Sequence, residues 1–82
     1  MIYIFEYREV DGVTYVVTSL TGRSVIEPQT SLRQLGRVLR DEGYRQSDVI
    51  CQGYETVLSR LRRRSSGSVF VSSCDISRLL ER

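Results

Sequence analysis

An 82-residue chain that is 40% hydrophobic has room for one small core, burying roughly 60% of the surface its unfolded form exposes, so a single α+β domain over residues 1–82 is expected. Its twelve basic residues are nearly balanced by ten acidic ones, and a net charge of +2 does not by itself mark a nucleic-acid binder. The chain has no His and no Lys, which removes the usual general base at neutral pH, the imidazole metal ligand and the lysine-activated nucleophile.

Residues 2–10 and 13–20 are rich in β-branched and aromatic types and flank Asp11-Gly12, the pattern of a β-hairpin closed by a type I′ turn. A two-residue turn there pairs Val10 with Val13, Arg8 with Tyr15, Tyr7 with Val16 and Phe5 with Thr18. A second turn at Thr21-Gly22 predicts a short third strand from Arg23 to Ile26, ended by Pro28.

In this register one sheet face carries Tyr3, Phe5, Tyr7, Val16, Leu20 and Val25. The other carries Ile2, Ile4, Val10, Val13, Tyr15, Val17 and Ile26, mixed with Glu6 and Arg8. Antiparallel meanders commonly leave one face to water, so two apolar faces need two covers.

From Ser31 the period changes from two to about 3.6. Leu32, Leu35, Val38 and Leu39 share one side of a first helix, which Ser31 caps with Gln34 in a capping-box position and Gly43 ends in the left-handed conformation. Ser47 or Asp48 caps a second helix that carries Ile50, Tyr54, Val57, Leu58 and Leu61 on one side. Gly53 interrupts it, so either that helix begins late or the backbone there is approached closely.

Two helices on one side of a three-stranded sheet leave the other side open. Ile4, Val13, Tyr15 and Val17 are therefore the expected partner-binding sheet face, unless the C-terminal segment folds back over it.

The helices are also rich in arginine. At about 100° per residue Arg33, Arg37 and Arg40 occupy a narrow sector beside the first apolar stripe, and the second helix ends in Arg60, Arg62, Arg63 and Arg64. Arginines near a helix C-terminus complement the macrodipole, and Arg37 has Asp41 one turn away. Arg33 with Arg37 is harder to explain locally, because like charges at i,i+4 repel. Arg33, Arg37, Arg40, Arg60, Arg63 and Arg64 are the expected contacts to an acidic partner or to phosphate.

Ser65-Ser66-Gly67 reads as a turn, Ser68 to Ser72 as a short strand, and Asp75 as the cap of a short helix with Ile76, Leu79 and Leu80 on one side. So short a helix must dock, either on its own sheet or on a second copy of the chain. Cys51 and Cys74 lack metal-ligand spacing; they read as two reduced thiols, or as a bridge if their Cα atoms come within about 7 Å.

The chemistry otherwise lacks a carrier. There is no Gly-x-Ser-x-Gly elbow, no phosphate-cradling glycine loop and no calcium ladder. Glu6 and Glu9 alternate across one strand, and Asp41-Glu42 ends a helix, so no carboxylate pair is placed for acid/base work. A non-enzymatic chain without cofactor or metal is expected. No basic leader and no run of 18 apolar residues occurs, which reads as a soluble protein of the cytoplasm or a host cytoplasm.

The order of a periodic helix, Leu39-Arg40-Asp41-Glu42-Gly43-Tyr44, a second helix from Ser47, a glycine turn and Val69-Phe70-Val71 resembles helix-turn-helix domains with a β wing. The resemblance covers about half the chain and implies nucleic-acid binding, with arginines on phosphates and tyrosines stacking on bases. It departs from that family in the N-terminal meander and in a second helix with no polar amide beyond Gln52, so no base-reading residue is carried over.

The other reading is a small protein-binding module, an inhibitor, adaptor or dimerising subunit, using the open sheet face with its arginines toward an acidic partner, and pairing with a second copy of itself. The absence of Lys, Ala, His, Asn and Trp points to an unusual coding origin such as a viral or mobile-element gene. That favours a binding protein.

Overall fold

The structure, a computed structural model, describes residues 1–64 and 70–81. Its framework is a three-stranded antiparallel sheet of β1 (Tyr3–Glu9), β2 (Gly12–Thr18) and β3 (Phe70–Ser72), in the order β2-β1-β3. Two α-helices, α1 (Leu32–Asp41) and α2 (Glu55–Arg64), and a C-terminal 3-10 helix (Cys74–Leu80) complete a mixed α+β fold. The predicted turn Ser65-Ser66-Gly67 and the start of the predicted strand at Ser68 and Val69 lie outside the described residues.

The hairpin forms two residues away from the predicted register. Glu9 pairs with Gly12, Arg8 with Val13, Tyr7 with Thr14, Phe5 with Val16 and Tyr3 with Thr18, so Val10 and Asp11 form the turn. No residue there has positive φ, so the turn is not type I′. A shift of two leaves every side chain on its predicted face, because the side-chain period of a strand is two. Face membership was therefore right although the partners were not.

The third strand is β3 and not Arg23–Ile26. That stretch bonds to β2 through the Thr18–Ser24 bridge and the Val25 N–H donating to Val17 O at 3.0 Å, and further along Gln29 and Tyr15 exchange two backbone bonds at 2.6 and 3.0 Å. Loop backbone thus shields the outer edge of β2. β3 adds on the opposite side and places β1, whose Tyr3, Ile4 and Phe5 are all buried, in the middle of the sheet.

Each helix takes a different face. Leu35 and Leu39 of α1 pack with Ile2, Ile4, Tyr15 and Val17, joined by Val49 and by Ile76 and Leu80 of the 3-10 helix. Val57, Leu58 and Leu61 of α2 pack with Tyr3, Phe5 and Phe70 on the other side. The expectation of an open face at Ile4, Val13, Tyr15 and Val17 is overturned: Ile4 is 2% exposed, Tyr15 9% and Val17 0%, and half-buried Val13 packs at the edge of the same cluster. The cover comes from α1 and from the C-terminal segment folding back. A second copy is not needed to bury the sheet.

Local signals place the helix ends. Ser31 Oγ accepts from the Gln34 N–H at 3.4 Å. At the other end Gly43, with φ of +86°, and Tyr44 donate backward to Arg40 O and Leu39 O, closing a Schellman motif. The second helix begins late, at Glu55, after a 3-10 turn at Gln46–Asp48. Gly53 has φ of +70°, and the Tyr3 hydroxyl donates to Gln52 O and Gly53 O at 3.2 and 3.3 Å. The late start and the close approach are thus both present.

Candidate partner-binding site

The C-terminal 3-10 helix runs alongside α1 because α1 carries a glycine where the two meet. A Cβ on buried Gly36 would sit in ordinary contact 3.6 Å from Leu79 Cβ and 3.3 Å from Arg40 Nη2, the movable end of a side chain, so the two segments meet here with room for no more than a methyl group. Arg40 Nη2 donates to Leu79 O at 2.7 Å, and Gln46 Nε2 donates to Glu81 Oε1 at 3.1 Å, tying the far end of the segment beside the Gln46–Asp48 turn. Its predicted cap is corrected: the segment is a 3-10 helix whose N-cap is Ser73, and Asp75 lies inside the first turn.

The seam between the two elements has a hollow at each end. Toward the start of α1 an apolar groove of about 340 Å³ is lined by Leu32, Ile76 and Leu79 with Asp75 and Arg78. Leu32, 42% exposed, belongs to the predicted apolar stripe but lines this groove instead of the core. Toward the end of α1 a polar cleft of about 860 Å³ is lined by Arg40, Tyr44, Arg45, Gln46 and Glu81 among others.

Arg78 lines the groove and Arg40 and Arg45 the cleft, whereas Arg33 and Arg37 line neither. On the helical wheel Arg33, Arg37 and Arg40 share the sector next to Gly36, the side on which Leu79 and the Arg40–Leu79 hydrogen bond lie. Arg33 and Arg37 are exposed, and among the described residues neither has an ion pair or a side-chain hydrogen bond; the ion pair found there joins Arg8 and Glu6 at 3.2 Å. The local pairing of Arg37 with Asp41 is absent.

The arginines of α2 are disposed differently. Arg60 Nη1 donates to Thr21 O at 3.0 Å and Arg62 Nη2 to Phe70 O at 3.4 Å, so both brace neighbouring backbone. Arg63 and Arg64 are exposed on the last turn of α2, where they complement its macrodipole. The predicted arginine set is therefore split between opposite sides of the sheet: Arg33, Arg37 and Arg40 come together, and Arg60, Arg63 and Arg64 are not with them.

The helix-turn-helix expectation also fails on this geometry. Such a motif needs two helices packed on each other across a short turn. Here α1 and α2 belong to separate apolar clusters with the sheet between them.

Arg78, Leu79, Tyr44, Arg45 and Gln46 enter the site unanticipated. The available signal was Gly36 inside an otherwise helical pattern, since a mid-helix glycine often marks a close packing partner. Among the described residues no cluster of His, Cys, Asp and Glu is placed to hold a metal ion, and no helix is long and apolar enough to cross a membrane. No family model matches the chain, and no curated protein or solved structure does either.

Proposed function

We propose that this chain is a small non-catalytic protein-binding module that takes an acidic, partly apolar segment of a partner protein along the seam between α1 and the C-terminal 3-10 helix. One observation carries the reading: Arg33 and Arg37 share the α1 sector next to Gly36 with no ion pair among the described residues, and Leu32 of the same helix lines an apolar groove with Ile76, Leu79, Asp75 and Arg78. Two like charges at i,i+4 repel by a few tenths of a kcal/mol, about 0.2–0.5, and an acidic ligand turns that repulsion into attraction. The apolar groove gives a peptide side chain an anchor that a phosphate backbone cannot use.

The test is an NMR titration of the isotope-labelled chain with a synthetic amphipathic peptide of Leu and Glu, and separately with duplex DNA and single-stranded RNA. The peptide should shift Leu32, Arg33, Arg37 and Leu79, and exchanging its Leu for Ser should weaken it about tenfold. Equal binding of the two peptides, or no binding of either, overturns the reading.

Nucleic-acid binding is the second reading, favoured by half-buried Tyr44 lying among Arg40 and Arg45 in the polar cleft, a ring beside two guanidinium groups. It requires affinity that falls steeply with log salt and flattens when Arg33, Arg37 and Arg40 become Gln. Absence of DNA or RNA binding at about 50 mM salt eliminates it.

A further inference from the structure

One wall of the seam is attached to the rest of the molecule by a covalent bond. Cys74, the first residue of the 3-10 helix, forms a disulfide with Cys51, in the loop that leads from Val49 to α2, with Cα atoms 5.3 Å apart. Reading the two as reduced thiols is thereby overturned, and the open alternative of a bridge is the one realised. Cys51 is exposed and Cys74 half-buried, so a small thiol in solvent has access to the bond.

We infer that this bridge is a redox latch: its reduction by a low-molecular-weight thiol releases β3 and the 3-10 helix from the sheet and opens the seam. The effect on a partner rests on the seam being the binding surface; the release does not.

Without the bridge the segment is weakly held. Among the described residues β3 comprises Phe70, Val71 and Ser72, all paired with β1. The helix after it is seven residues of 3-10 geometry, whose hydrogen bonds are poorer than those of an α-helix. Between them lies Ser73, whose buried Oγ has no hydrogen-bond partner among the described residues, an arrangement that disfavours the docked state. Docking then rests on the short β1–β3 ladder with the Ser73 N–H on Ile4 O, on the burial of Phe70, Ile76 and Leu80, and on the bonds from Arg40, Gln46 and Arg62.

The chemistry is ordinary thiol–disulfide exchange. A thiolate attacks Cys51 Sγ, the Sγ–Sγ bond breaks, and Cys74 leaves as a thiolate that takes a proton from solvent. A second thiol attacks the mixed disulfide, freeing Cys51. Two small thiols are oxidised to one small disulfide, and the protein bridge is reduced to two thiols.

Hydrogen exchange on the full chain, oxidised and thiol-reduced, tests the inference, with two free thiols verified by alkylation and mass. The reporters are the Ser73 amide, which donates to Ile4 O at 2.9 Å, and the Ile76 amide, which donates to Ser73 O at 3.1 Å. Both should exchange about a hundredfold faster on reduction, the effect expected from losing a crosslink over a loop of this length. The Tyr15 amide, bonded to Gln29 O at 2.6 Å, should hold its rate within about threefold.

The double variant Cys51→Ser with Cys74→Ser should reproduce the reduced pattern without thiol. Should it fail to fold, wild-type protein reduced and capped with iodoacetamide decides the question. Unchanged exchange at Ser73 overturns the latch, and so does uniform acceleration of all sheet amides, which would make the bridge a staple of the whole fold.

The Leu/Glu peptide provides the second readout, with affinity expected to fall about tenfold on reduction. Equal affinity in both states, with Ser73 accelerated, overturns the gating of the seam. If the oxidised chain binds no peptide, the seam reading fails by itself and exchange alone decides the latch.

Discussion

The two faces of the sheet are built from similar residues and finished differently. On one face α2 supplies Val57, Leu58 and Leu61, and its arginines brace the backbone of Thr21 and Phe70. On the other α1 shares the cover with the 3-10 helix, and the join leaves a groove and a cleft, with Arg33 and Arg37 on α1 unpaired among the described residues. A face covered by a single helix is closed. A face shared by two elements has a seam, and seams are where a small fold keeps concave, chemically mixed surface.

The largest test of this contrast is in the core. Phe5→Ala, under α2, should cost about 3–5 kcal/mol, and Leu39→Ala, under α1, about 2–5 kcal/mol, measured by urea unfolding. In a domain of this size the first is expected to leave little folded protein at 25 °C. A Phe5→Ala chain that unfolds at the wild-type midpoint would mean the α2 face is not the closed core described.

Smaller effects follow from the backbone. Gly43→Ala and Gly22→Ala place a Cβ at φ of +86° and +88°, and each should lower stability by about 1–2 kcal/mol. The space around Gly43 is empty, so its loss reports conformational strain rather than a clash.

Smaller again, Arg40→Met and Arg60→Met each remove a hydrogen bond to a backbone carbonyl and should cost about 0.5–1.5 kcal/mol by thermal unfolding. Arg40→Met should in addition speed exchange in the 3-10 helix, whereas Arg60→Met should leave it alone. Equal behaviour of the two would erase the difference between a seam and a closed face.

The smallest change in stability carries the largest functional weight. Arg33→Gln with Arg37→Gln should raise stability by a few tenths of a kcal/mol, about 0.2–0.5, because like charges are removed. The same pair should weaken the acidic peptide about tenfold. Arg63→Gln with Arg64→Gln, on the other side of the sheet, should leave that affinity unchanged within about twofold.

How much was legible follows from the range of each interaction. Strand alternation put Ile4 with Tyr15 and Val17, and Phe5 with Val16, on their correct faces even though the pairing register is shifted by two residues, since only an odd slip would have turned a side chain over. The arginine sector of α1 was readable from spacing alone. Its role was not, because nothing local says that Arg40 reaches Leu79 or that Arg60 reaches Thr21, both 39 residues away.

By itself the sequence determined what depends on neighbours within a few positions. It set the alternation of both hairpin strands, the cap at Ser31, the stop at Gly43 and the interruption at Gly53. The tertiary structure alone decided that β1 lies in the middle, that α1 and α2 part to opposite faces, that Cys51 meets Cys74, and that the last helix covers the face expected to be open. Local patterns specify which surface of an element is apolar. Which other surface it meets is a competition among all the apolar surfaces of the chain, settled only by packing them together.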